Sequence, residues 1–274
     1  MELGDTPWVD RTWKKLVDRV QVRDDIEWKW VPRVSNDRPL RFEEYGCGAY
    51  GCVSPTEQPG IVVKLTSDAS EALFVAWSLT VPKPAAGLIP FHKVLAVPDA
   101  TYRGRPLYVL WRDEAVDVGA LDVSRRGVGH AVRTYQLEIT HLNQLMENAR
   151  QVGQALKRWR ARMSDEGFLS TLPLLWDAYQ APGTLEVPKH VTVVLVALQK
   201  AEHYMQELSR SRFKGVATAL LHYLKRGVLL ADVRGANVAR RIGTYGSPGD
   251  WTIIDPGLSI VLNPSVEIPA IEAL

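Results

Sequence analysis

Gly46-Cys47-Gly48-Ala49-Tyr50-Gly51-Cys52-Val53 is followed, after Gln58-Pro59-Gly60, by Ile61-Val62-Val63-Lys64-Leu65. The first segment fits G-x-G-x-x-G-x-V, in which glycines without side chains let backbone N–H groups approach phosphate oxygens. A dinucleotide-binding unit needs a helix straight after such a run. Here a Pro-Gly turn and a second strand follow, so the pattern predicts a hairpin rather than a strand-to-helix crossover. Lys64 lies inside that second strand, where an ammonium among apolar neighbours is costly to bury without a partner. If the glycine loop covers a nucleotide, Lys64 would reach its α- and β-phosphates; a lysine snorkelling from a strand edge is the plain alternative.

The neighbouring segments give this hairpin a context. Asp68 to Leu79 reads as a helix with Ser67 or Asp68 as N-cap, and Glu71 on it is the natural carboxylate to orient Lys64. Phe91 to Val97 and Leu107 to Trp111 read as further strands, with a turn at Tyr102-Arg103-Gly104-Arg105. Before them, Trp13, Leu16, Val17 and Val20 stand at helical spacing, which predicts a helical appendage over residues 1–34 packed through its tryptophans. From Ala131 helices dominate, with long ones expected over His141–Met163 and Ala201–Arg226, and Val228 to Ile260 returns to strands and turns. The expected class is α+β, a small antiparallel sheet with one helix over 35–112 and a mainly helical part over 113–274. Residues from about 113 to 200 are a helical insertion in the latter.

A second chemical cluster lies in Leu230-Ala231-Asp232-Val233-Arg234-Gly235-Ala236-Asn237-Val238. An Asp and an Asn five residues apart, in a tight loop after a helix, place a carboxylate near a nucleophile and an amide oxygen near a metal ion. Further on, Trp251-Thr252-Ile253-Ile254-Asp255-Pro256-Gly257 ends a strand with another Asp at a turn, and Gly243 to Gly249 reads as a hairpin tip. Asn237 and Asp255 would together hold Mg²⁺, which takes few, hard oxygen ligands. Each Asp taken singly is more readily a turn or cap residue; their joint order and spacing reverse that and favour chemistry.

Composition narrows the field. The chain has 274 residues, 46% apolar and 23% charged, which excludes disordered and collagen-like classes. Lys+Arg number 33 against 31 Asp+Glu, so net charge gives no reason to expect nucleic acid or an anionic membrane as partner. Two cysteines, Cys47 and Cys52, make neither a disulfide scaffold nor a zinc site. They flank the glycine loop, which raises the hypothesis that nucleotide binding there is redox-sensitive; equal affinity with and without oxidant would dismiss it. The acidic start Met1-Glu2-Leu3-Gly4-Asp5 has no apolar core, which predicts no cleavable signal and a cytoplasmic protein. Arg150, Lys157, Arg158, Arg160 and Arg162 read as a solvated helix face, with a docking surface for an acidic partner as the alternative.

Over about Glu43 to Leu258 the sequence resembles the protein-kinase-like superfamily, in family order: glycine loop, strand lysine, helix glutamate, catalytic loop, metal-binding Asp. The resemblance implies a bilobal fold that binds ATP and Mg²⁺. Asp232 matches the catalytic Asp, with Lys64 and Glu71 as the phosphate-gripping pair, and Asn237 and Asp255 match the metal ligands. Gly46, Gly48, Tyr50, Gly51 and Val53 match the glycine loop, and Leu110 to Glu114, with Leu110 and Arg112 named as contacts, would be the hinge that meets adenine. Leu230-Ala231 stands where the family has His-Arg, and Pro256 where it has Phe. The sequence ends at Leu274 without an activation segment or Ala-Pro-Glu motif, so it looks like the minimal kinases of secreted bacterial effectors and tailed phages. The implied activity is transfer of the γ-phosphate to Ser/Thr, or Tyr, hydroxyls of a protein substrate, without activation-loop control and with a role for an activating partner. It would act in the cytoplasm of a bacterium or, for a secreted effector, of its host. A small-molecule phosphotransferase and a catalytically dead binding module are the alternatives.

Overall fold

The computed structural model describes residues 51–56, 58–102, 105–116, 130–234, 237–242 and 248–273, together with the short strand Ile26–Glu27. The chain forms two compact units, one of residues 1–84, 90–114 and 268–274, the other of residues 85–89 and 115–267.

The first unit is built on one antiparallel sheet. Its strands are β1 (Ile26–Glu27), β2 (Gly51–Pro55), β3 (Ile61–Thr66), β4 (Phe91–Tyr102) and β5 (Arg105–Asp113), in the spatial order β1-β4-β5-β3-β2. All six residues of β3 are buried, as a β-branched run between two strands should be. The hairpin expected after the glycine run is present, with Val53 opposite Lys64. Helix α1 (Ala69–Thr80) follows β3, and Asp68 caps it by accepting from the N–H groups of Ser70 and Glu71. β4 runs further than expected, past Pro98. Its register slips between Val97 and Thr101, where a residue without an N–H cannot complete the ladder.

Two segments distant in the sequence, Ile26–Glu27 and the stretch around Glu272, join this sheet. Ile26–Glu27 pairs with Tyr102 and Thr101, so part of the 1–34 segment is an edge strand rather than a separate appendage. The N–H of Ala96 donates to the carbonyl of Glu272 at 2.9 Å, so residues 268–274 group with the sheet and not with the helical part of 113–274. The helix expected around Trp13 lies outside the described residues.

The second unit is mainly helical: α2 (His130–Arg162), α3 (Asp165–Gln180), α4 (Lys189–Leu208) and α5 (Lys214–Leu224). Leu142, Leu145, Ala149, Val152, Leu156 and Trp159 alternate at three- and four-residue spacing and are all buried, which gives α2 one apolar seam against α4. The single helix expected over Ala201–Arg226 is broken at residues 209–213. Ser209 and Ser211 hydroxyls donate to the carbonyls of Gln206 and Leu208, and Ser211 Oγ also accepts from the N–H of Phe213. These local bonds compete with the helical ladder and end α4 there.

The remaining strands are short. β7 (Val228–Leu230) pairs with β10 (Ser259–Val261), and β6 (Ala115–Val116), β8 (Val238–Ile242) and β9 (Pro248–Ile253) form a second small antiparallel sheet. Gly87 lies alongside β9, its carbonyl accepting from the N–H of Ile253 at 2.9 Å. A Cβ at Gly87 would stand 1.7 Å from the carbonyl oxygen of Gly215 in the first turn of α5. Neither backbone can yield that far. Gly87→Ala is therefore expected to cost at least about 3 kcal/mol, the upper end of ordinary overpacking, as a shift in the urea midpoint.

α5 also carries a pH-sensitive group. Burial pushes the His222 pKa below its ordinary 6.5, assisted by the Arg226 charge, and among the described residues its buried Nε2 has no hydrogen-bond partner. The unfolded chain therefore binds a proton here more readily than the folded one. This contribution is intact above pH 6.5 and is lost as pH falls through that value toward the lowered folded pKa. A His222→Phe variant is expected to show a shallower loss of melting temperature than the wild type between pH 7 and pH 5.

Candidate active site

In the first unit, the two-residue connector Ser67-Asp68 joins β3 directly to α1, so the first turn of the helix returns over the end of the strand. Glu71 sits in that turn. The Lys64 ammonium donates to Glu71 Oε1 at 2.6 Å, and the two side chains are 9% and 1% exposed. The short spacing between them is thus bridged by the length of the lysine stem. Lys64 also stands opposite Leu110 on β5, in the middle of the sheet.

The other residues expected around a nucleotide fare differently. Gly51 and Val53 lie on β2, opposite Thr66 and Lys64. Gly46, Gly48 and Tyr50, with Cys47, lie outside the described residues. Leu110 and Arg112 are not on a connector. β5 continues to Asp113, and both residues are buried between β3 and β4, with Arg112 Nη1 donating to the carbonyl of Asp113. Their backbone faces sheet partners on both sides, so the segment that leaves the sheet begins after Asp113. The shift has a physical cause: Leu107 to Trp111 is the apolar part of the strand, and polar Arg112 and Asp113 extend it because β3 and Pro90 still offer pairing groups.

In the second unit, β7 delivers the chain into the loop that carries Asp232. Leu230, Ala231 and Val233 are at most 2% exposed, and the N–H of Ala231 donates to the carbonyl of Leu258. These apolar anchors hold the loop while Asp232 between them keeps a side chain 16% exposed. Asn237 folds back across the loop. Its Nδ2 donates to the Asp232 carbonyl at 2.6 Å and to Asp232 Oδ2 at 3.2 Å. Both partners are acceptors, which fixes the amide nitrogen on that side and turns the amide oxygen away from it.

Asp255 is brought to the same place by strand pairing. Val238 on β8 is opposite Ile253 on β9, and the N–H of Ile254 donates to the carbonyl of Asn237 at 2.9 Å. Asp255 follows at once, its Oδ1 accepting from the N–H of Gly257 in a tight turn. Beyond it Leu258 adopts φ 54°, a left-handed conformation unfavourable for a branched side chain. That turn aims the Leu258 carbonyl at Ala231, so the two loops bearing Asp232 and Asp255 are tied to each other.

The structure adds two residues to this cluster. Arg150 on α2 places Nη2 3.7 Å from Asp232 Oδ1, and Arg234 places Nε 3.8 Å from Oδ2. Asp232, Asn237, Asp255, Arg150 and Arg234 all belong to the second unit, and Lys64 and Glu71 to the first. Among the described residues no three His, Cys, Asp or Glu side chains gather as a metal cage, and no helix is long and apolar enough to cross a membrane.

No protein-family model matches this chain, and no curated protein matches its sequence.

Proposed function

We propose that this chain is an ATP- and Mg²⁺-dependent kinase that transfers the γ-phosphate to Ser/Thr, or Tyr, hydroxyls of a protein substrate. The observation that carries this reading is the buried Lys64–Glu71 pair. A buried ion pair adds little net stability over apolar residues of the same size, so its presence calls for a use of the ammonium. Held by Glu71 at the middle of the sheet, Lys64 is suited to bind the α- and β-phosphates of a nucleotide.

The loops of the second unit supply complementary chemistry. Asp232 Oδ2 is engaged by Asn237, whereas Oδ1 accepts no hydrogen bond from a described residue and is the atom to receive the proton of an acceptor hydroxyl. The hydroxyl oxygen then bonds to the γ-phosphorus as the bond to the bridging oxygen breaks, and ADP carries the displaced charge. The donor set fits Mg²⁺: an amide oxygen from Asn237 and a carboxylate from Asp255 are hard ligands, few enough to leave room for phosphate and water. When bound, that ion neutralises the charge of the phosphates.

Leu230 and Ala231, both buried and apolar, stand where a cation reading a phosphorylated activation loop would be needed, so control by such a loop is not part of the proposal. The test is incubation of the purified chain with γ-labelled Mg-ATP, with and without bacterial or eukaryotic lysate protein. Label on protein, abolished by a chelator, is the expected outcome. Label on small molecules only would move the acceptor to that class. Bound ATP without any transfer would leave a binding module.

A further inference from the structure

We infer that Arg150 and Arg234 form an anion-recognition pair beside Asp232, selecting protein segments with carboxylate side chains next to the acceptor hydroxyl. The inference rests on the kinase reading above for its account of the hydroxyl, and on the geometry for the anion. The two guanidiniums stand on opposite oxygens of Asp232, at 3.7 and 3.8 Å. Both distances exceed a hydrogen bond, so neither fork of donors is consumed by the aspartate. Among the described residues neither guanidinium has another hydrogen-bond or ion-pair partner, and the side chains are 42% and 53% exposed.

Such loose, half-exposed ion pairs contribute little to stability. The two guanidiniums balance the carboxylates of Asp232 and Asp255 in this cluster and keep donors free at the place where a hydroxyl must approach Oδ1. Lys157, exposed two turns further along α2, extends the same sign. A guanidinium presents planar, paired donors that match a carboxylate in bidentate fashion.

The helix that carries Arg150 is held in place by packing. The neighbours of Arg150, Ala149 and Val152, are fully buried. Gly153, on the next turn of the same helix, lets α2 lie close to β10: a Cβ there would come within 2.9 Å of Ile260 Cδ1. β10 in turn pairs with β7, at whose end Asp232 emerges. The helix backbone at Arg150 is thus fixed relative to Asp232 before any substrate arrives, which lowers the ordering cost of binding.

The test is equilibrium binding of two fluorescent peptides, measured by anisotropy on the full chain without ATP. Each has one serine, flanked by glutamates in one peptide and by lysines in the other. The wild type is expected to bind the glutamate peptide at least about tenfold more tightly, with a preference that weakens as salt is raised. Arg150→Glu is expected to abolish or invert that preference, Arg150→Lys to keep part of it, and Asp232→Asn to tighten the glutamate peptide by removing a like charge. Should Arg150→Glu fail to fold, Arg150→Lys and Arg234→Gln decide. Equal affinity for both peptides, no binding of either, or a preference indifferent to Arg150 and Arg234 would each overturn the inference. Because no transfer is needed, a surviving preference in a chain that phosphorylates nothing would sink the kinase reading and leave the anion pair standing.

Discussion

The double variant Lys64→Met, Glu71→Leu is expected to melt close to the wild type, or above it, and to transfer no phosphate. The reason lies in how a desolvated ion pair divides its effects. Both charges are withdrawn from water, and their 2.6 Å contact does little more than offset that cost. Apolar residues of similar volume fill the same space without it, so the fold is indifferent or gains about 1–4 kcal/mol. Each single change behaves in the opposite way. Lys64→Met takes from the buried Glu71 carboxylate its cation, and Glu71→Leu takes from the buried Lys64 ammonium its anion, at about 3–5 kcal/mol each. That is a fall of roughly 2–4 °C in melting temperature per kcal/mol for a chain of this size. Both side chains make further contacts, so the singles and the double are read together as a cycle. A double variant that is stable and still phosphorylates would reduce the pair to packing and remove the main support for the proposed activity.

The second large effect is that of Asp232→Asn on transfer rate. The replacement is isosteric, and an amide at position 232 still offers Asn237 an oxygen, while the 2.6 Å bond from Asn237 Nδ2 to the backbone carbonyl is untouched. The two arginines lose a partner they hold only at 3.7 and 3.8 Å in a partly exposed setting. A stability change below about 1 kcal/mol follows. Proton acceptance is another matter, since a neutral amide cannot take the hydroxyl proton. Initial rates of γ-phosphate transfer should fall about 10²–10⁴-fold, the range for a lost general base. An unchanged rate would make Asp232 a turn residue and nothing more.

Local signals carried much of the first unit. The strand at Ile61, the Asp68 cap and the hairpin after the glycine run depend on neighbouring residues, so each was readable from its own stretch. The Lys64–Glu71 contact was readable for the same reason: strand, two-residue connector and first helical turn are consecutive. The extent of β5 was not, because its last residues are polar and stay in the sheet only through partners on β3 and at Pro90. The break between α4 and α5 had a local signal in Ser209 and Ser211, which an apolar helical pattern running through it obscured.

Arg150 shows where such reading stops. In sequence it belongs to a basic run on a long helix, indistinguishable from Lys157 or Arg158, and only the packing of α2 against β10 at Gly153 brings it to Asp232. The same holds for the edge strand Ile26–Glu27 and for residues 268–274, which join a sheet far away along the chain. By itself, then, the sequence determined the α+β class, most element positions, and the order of Lys64, Glu71, Asp232, Asn237 and Asp255. Those features rest on periodicity, capping and turn chemistry acting over a few residues. The tertiary structure alone decided which distant segments complete the sheet and which charged side chains surround Asp232, because those contacts arise from packing between elements and leave no periodic trace in the chain.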